Sequence, residues 1–119
     1  MTHGLRRFHV GDRLSEMTIF NNTVYLAGQV ASDASQDIRG QTRQVLGMVD
    51  KLLAEAGSDN AHILMCQIYL ADMADFAAMN DIYAEIFGET RPARSTVAVA
   101  GLPLGACFEI EAWAHRPVR

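Results

Sequence analysis

From Phe108 to Ala114 the chain reads FEIEAWA, so that apolar residues alternate with Glu109, Glu111 and Trp113. A period of two is the mark of a β-strand with one face against a core. Phe108, Ile110, Ala112 and Ala114 share that face, and Cys107, Glu109, Glu111, Trp113 and His115 share the other. Two carboxylates inside a strand are a constraint of their own, because an unpaired charge is costly to bury. Upstream, Pro92-Ala93-Arg94-Ser95-Thr96-Val97 sets a guanidinium at the start of another strand-like run, and Leu102-Pro103 marks a tight turn between the two. Arg94, Thr96, Ala98 and Ala100 fall on one face of that run, with Ser95, Val97 and Val99 on the other. Arginine can clamp a carboxylate with two parallel hydrogen bonds, and glutamate can steer a water or carry a proton. The combination suits chemistry on a small organic acid. Plainer roles exist for the same residues: a salt bridge or loop anchor for Arg94, and a solvated or interface-paired face for at least one glutamate. Alternation does not say which carboxylate is special.

The rest of the chain reads as scaffold. Residues 1–16 suggest a short edge strand plus loop, and 17–20 and 23–31 form a hairpin around the Asn21-Asn22 turn. Gly28 interrupts the second of these strands, which points either to a bulge or close approach, or to simple tolerance. From Gln41 to Ala56 the period becomes helical, with Val45, Leu46, Val49, Leu52, Leu53 and Ala56 in one stripe and Gly57 as the stop. Ile63–Leu70 is apolar almost throughout, as expected of a central strand covered on both faces. A second helix, capped by Asp72 or Asp75 and ended by Gly88, puts Phe76, Met79, Tyr83 and Ile86 on one face. Asn80 lies close to that face, where it either points into a site, or is solvated or caps a neighbouring loop. The final strands cover 94–100 and 106–115, and by proximity they would pair as a hairpin. Two helices cover one face of such a sheet. The strands are too apolar for the other face to be wet, so a homo-oligomer is expected.

A length of 119 residues is that of a single domain with a real core, and 50% hydrophobic residues exclude disorder. Ten basic against fourteen acidic residues give a net charge of −4, which speaks against nucleic-acid binding through phosphates. Cys66 and Cys107 sit in apolar contexts and read as reduced, buried cysteines of a cytoplasmic protein. No apolar run suits a signal peptide or a membrane span. His3, His9, His62 and His115 are scattered without ligand spacing, so no metal site is expected.

The run 92–97, Leu102-Pro103 and Glu109-Ile110-Glu111-Ala112 together closely resemble the C-terminal signature of the Rid family, also called YjgF, of which RidA is one branch. Val24-Tyr25-Leu26-Ala27-Gly28-Gln29 and Asp75-Phe76-Ala77-Ala78-Met79-Asn80 extend the resemblance to nearly the whole chain. It implies an α+β, chorismate-mutase-like fold: a mixed six-stranded sheet with two helices on one face, assembled as a homotrimer with clefts between subunits. It also implies that strand 63–70 separates the last two strands. RidA-branch members hydrolyse enamines and imines derived from amino acids to 2-oxo acids and ammonia, without a metal or organic cofactor. By position, Arg94 then binds the substrate carboxylate and Glu109 positions or activates water. Gly28 and Thr96 line the site through their backbone, Asn80 is a pocket residue and Glu111 is structural. Leu14 falls where the RidA branch carries a tyrosine, Thr96 where it carries a cysteine, and Ala27 where it carries a serine. Arg13-Leu14-Ser15 resembles other Rid subgroups, so the resemblance implies a changed pocket wall and a narrower or different substrate. A small-acid binding or regulatory protein using the same cleft is the alternative expectation, and ribonuclease activity is a third.

Overall fold

Residues 4–117 are described in the computed structural model, which leaves His3 outside. Six strands, β1 (Arg6–Val10), β2 (Ser15–Phe20), β3 (Thr23–Val30), β4 (Ile63–Leu70), β5 (Ala93–Ala98) and β6 (Phe108–His115), join in one sheet. Their order is β1-β2-β3-β6-β4-β5. The β4–β5 pairing is parallel, and the other pairings are antiparallel. β4 therefore lies between β5 and β6, and the hairpin suggested by proximity in sequence does not form. The parallel pairing requires a crossover, which helix α2 (Phe76–Phe87) supplies.

Helix α1 (Ile38–Glu55) begins three residues before the apolar stripe suggests. The Asp37 side chain accepts from the Gly40 N–H at 2.9 Å and satisfies a donor that would otherwise be orphaned. Gly57 and Gly88, with φ of 80° and 55°, take left-handed backbone just past the ends of α1 and α2. Asn21, with φ of 55°, makes the β2–β3 turn. Asp75 holds the N-cap position of α2 without a side-chain cap bond, while Asp72 caps the 3-10 turn Met73–Asp75 that leads into it, accepting from Ala74 N–H.

One core joins both helices to the same face of the sheet. Val45, Leu46, Val49 and Leu53 of α1 and Met79, Tyr83 and Phe87 of α2 pack on Val24, Leu26, Cys66, Ile68, Phe108, Ile110 and Ala112. Phe87 takes the place expected of Ile86, which is exposed, and Phe76 is also exposed. Phe87 lies eleven positions after Phe76, three helical turns on, and follows Met79 and Tyr83 along the buried stripe. Cys66 is buried, whereas Cys107 is only half-buried, and both are free. The sheet's other face is open in a single copy. β4 there alternates buried and half-buried residues and is not covered on both sides. Tyr25 and Val97 are exposed on that open face, and Met65 and Trp113 are half-buried there. No helix among the described residues is long and apolar enough to cross a membrane.

Candidate functional site

Strand register decides where each candidate points. Arg94 pairs with Cys66 and Thr96 with Ile68, and both of those partners face the core. Paired residues of neighbouring strands point to the same side. Arg94 and Thr96 therefore stand on the helix side of edge strand β5. The Arg94 guanidinium carbon lies 4.5 Å from the centroid of the Tyr83 ring and 5.7 Å from that of Phe76. Both rings come from α2, on the side where Asn80 is half-buried between them in sequence. Two aromatic faces under a guanidinium orient it without neutralising it. Arg94 makes no ion pair among the described residues. Beneath it, the Tyr83 hydroxyl and Cys66 Sγ are 3.8 Å apart. Burial raises the proton affinity of both groups, which keeps this base uncharged. The Thr96 hydroxyl is buried without a hydrogen-bond partner.

Glu109 belongs to the opposite face. It pairs with Tyr69 across β4 and with Val30 across β3, while its neighbours Phe108 and Ile110 are fully buried on the helix side. The β3–β6 ladder slips between Leu26 and Gln29, which is the bulge expected at Gly28. A methyl built on Gly28 would meet the Glu109 carboxylate, with Cδ at 3.0 Å. Close approach, not tolerance, is thus the reason for glycine there. Burial, and then the charge of Glu111, raise the proton affinity of Glu109. Glu111 accepts a hydrogen bond from the Tyr69 hydroxyl. The entry to β6 is fixed by buried Gln41. Its Oε1 accepts from Cys107 N–H at 2.9 Å, and its Nε2 donates to the carbonyls of Ala34 and Gln36.

Leu14 lies exposed in the β1–β2 loop, at the sheet edge farthest from β5. Five of the six candidates fall into two groups. Arg94, Thr96 and Asn80 gather on the helix side of the β5 edge. Gly28 and Glu109 meet on the open face, and Leu14 extends from the far end. Two strand spacings, about 10 Å, separate β5 from β6, with the two side chains on opposite faces. A cavity of about 580 Å³ elsewhere is lined by Arg6, Phe8, Asn22, Glu55 and Arg116, and by neither Arg94 nor Glu109.

Comparison with known proteins matches residues 5–116 to the family model described as Endoribonuclease L-PSP. A RutC family protein of Pyrococcus horikoshii is 43% identical over 101 residues, covering 80% of each chain. A solved structure from Neisseria meningitidis, described as a member of the YjgF protein family, covers 100% of both chains with a TM-score of 0.91 and 32% identity. The chain belongs to the YjgF/Rid family. Among its Rid relatives, a protein of Capra hircus named 2-iminobutanoate/2-iminopropanoate deaminase is 35% identical over 104 residues, covering 82% of this chain and 76% of that one.

Three residues of this Rid domain escaped the sequence reading as functional groups. Phe76 and Tyr83 had been placed on a core-facing helical stripe, and only the position of β5 shows that they flank Arg94. Tyr69 carried a usable signal, since period two puts it on the face of Gln67 and away from Cys66 and Ile68. Its nearness to Glu109 and Glu111 depends on β4 lying beside β6, which no local pattern encodes.

Proposed function

We propose that this chain is a hydrolytic deaminase of reactive enamines and imines, converting 2-imino acids to 2-oxo acids and ammonia. The observation that carries the reading is the presence of two groups: a guanidinium propped on aromatic rings that makes no ion pair among the described residues, and a half-buried carboxylate of raised proton affinity. Because they occupy opposite faces of the sheet, the working unit is a homotrimer in which Arg94 of one copy approaches Glu109 of the next. The exposed apolar side chains of the open face supply the surface such an assembly would cover.

In this cleft Arg94 binds the substrate carboxylate in a fork and fixes the C=N carbon. Asn80 and the backbone at Thr96 border the same half. Glu109 and the backbone at Gly28 face the C=N carbon from the other copy. Glu109 takes a proton from water as the oxygen adds to that carbon and returns it to the nitrogen; it then moves the proton of the new hydroxyl to the nitrogen as well, so that the C–N bond breaks to release ammonia and leave the 2-oxo acid. The step consumes one water and needs no oxidant. Leu14 borders the opening with an apolar side chain, which favours an apolar substrate substituent and leaves proton handling to glutamate. That same lack of a hydroxyl supports the second reading, a protein that binds small carboxylic acids without turning them over.

The test is a coupled assay in which an amino-acid oxidase generates imines and semicarbazide traps what remains. The wild-type protein should speed imine loss, and Arg94→Ala should lower kcat/KM by about 100- to 1,000-fold, the worth of a two-bond ionic clamp. Unchanged turnover in Arg94→Ala would remove the assignment. Absence of turnover across the amino-acid panel, with thermal stabilisation by small carboxylic acids, would favour the binding protein.

A further inference from the structure

Glu109 and Glu111 stand two residues apart on one face of β6, so the strand alone makes them near equivalents. What distinguishes them lies on β4. Tyr69 is the direct cross-strand neighbour of Glu109, yet its hydroxyl reaches diagonally and donates to Glu111. Diagonal neighbours on a sheet are about 7–8 Å apart between Cα atoms, within range of a phenol. Among the described residues no side chain donates a hydrogen bond to Glu109. On its other flank Gly28 leaves room for the carboxylate and nothing else. Among the described residues, the titratable groups facing Glu109 are Glu111 on β6, Cys107 just before it and Tyr69 on β4. On β3 the adjoining residues are Ala27, Gly28 and Val30, which do not titrate, and the second copy would add its own Arg94. The bond to Glu111, burial and both carboxylates push the Tyr69 phenol up to about 12, so it stays a donor at neutral pH.

We propose that Tyr69 is a positioning residue: by donating to Glu111 it holds that carboxylate as an acceptor and leaves Glu109 as the member of the pair that takes and returns a proton. This assignment rests on the deaminase reading for the proton's destination. The choice between the two carboxylates can be measured without turnover.

The experiment compares wild type, Tyr69→Phe, Glu111→Gln and the double variant by two readouts. In the imine assay, Tyr69→Phe should lower kcat by roughly three- to tenfold with KM within about twofold, and in the Glu111→Gln background it should add less than about twofold, because the phenol acts through Glu111. In a ¹³C titration of glutamate carboxyls, Glu109 should titrate above its ordinary range in the wild type. It should move to lower pH in Glu111→Gln, where the like charge is gone. In Tyr69→Phe the Glu109 titration should change, because the phenol no longer holds its neighbour Glu111 as an acceptor. An equal Tyr69→Phe effect with and without Glu111, or a Glu109 titration that ignores both substitutions, would overturn the proposal. Should no imine be consumed while the titrations behave as stated, the deaminase reading fails and the role of Tyr69 stands.

Discussion

The two faces of the sheet handle charge in opposite ways. On the helix side, Arg94 is a permanent cation lying over Tyr83 and near Phe76, above a thiol and a phenol that burial keeps neutral. Neither that thiol nor that phenol ionises near neutral pH, which suits the binding and orienting role proposed for this half. On the open side, Glu109 sits beside Glu111 and Tyr69 over a glycine, and its proton affinity is raised. That half can exchange a proton. In the proposed site, a sheet between Arg94 and Glu109 would keep the cation from holding Glu109 permanently ionised within one copy. On the proposed reading the halves would act together only where two copies meet.

Substitutions on the two sides should therefore fail differently. Alongside Arg94→Ala, the largest effect on the open side is expected from Glu109→Ala, which should lower kcat by about 100-fold or more with KM changed little, the usual scale of lost general-base help. In the wild type, kcat/KM should fall as pH drops through a value above the ordinary glutamate range, because the raised affinity of Glu109 returns its proton early. An acid limb at the ordinary glutamate value would contradict the role given to its burial. Gly28→Ala comes next. Its methyl would push the carboxylate aside, and a displacement on the order of 1 Å costs about 10- to 100-fold in rate. Melting temperature should barely move, since Gly28 is exposed and its φ is ordinary. Smallest is Phe76→Ala, on the binding side. One exposed cation–π contact is worth about 0.5–1 kcal/mol, so KM should rise by roughly two- to fivefold while the acid limb stays in place. A shift of that limb in Phe76→Ala would blur the division between the two faces.

How far the sequence carried this picture depended on the range of the interaction. Alternation placed Phe108–Ala114 and Arg94–Ala98 on the correct faces, because side-chain direction in a strand is a local property. Helix stops at Gly57 and Gly88 were legible for the same reason. The start of α1 was not, because Asp37 caps a helix whose first turn carries little of the apolar stripe. Strand order was beyond local pattern altogether. The insertion of β4 between β5 and β6 came from the family resemblance, and it is this insertion that brings Tyr69 to Glu111 and moves Arg94 away from Glu109. Gly28 shows the middle case: the residue type announced a special position, and only the bulge and the Glu109 carboxylate explain it.

The central claim is that a working cleft takes its arginine from one copy and its glutamate from another. It is tested most directly by co-expressing Arg94→Ala and Glu109→Ala chains with different tags and purifying mixed assemblies. Each variant alone should be nearly inactive. In randomly mixed 1:1 trimers, a cleft between two copies is intact when one supplies Arg94 and the other Glu109, so about a quarter of wild-type activity should return. A mixed assembly no more active than either parent would mean that both groups serve within a single copy.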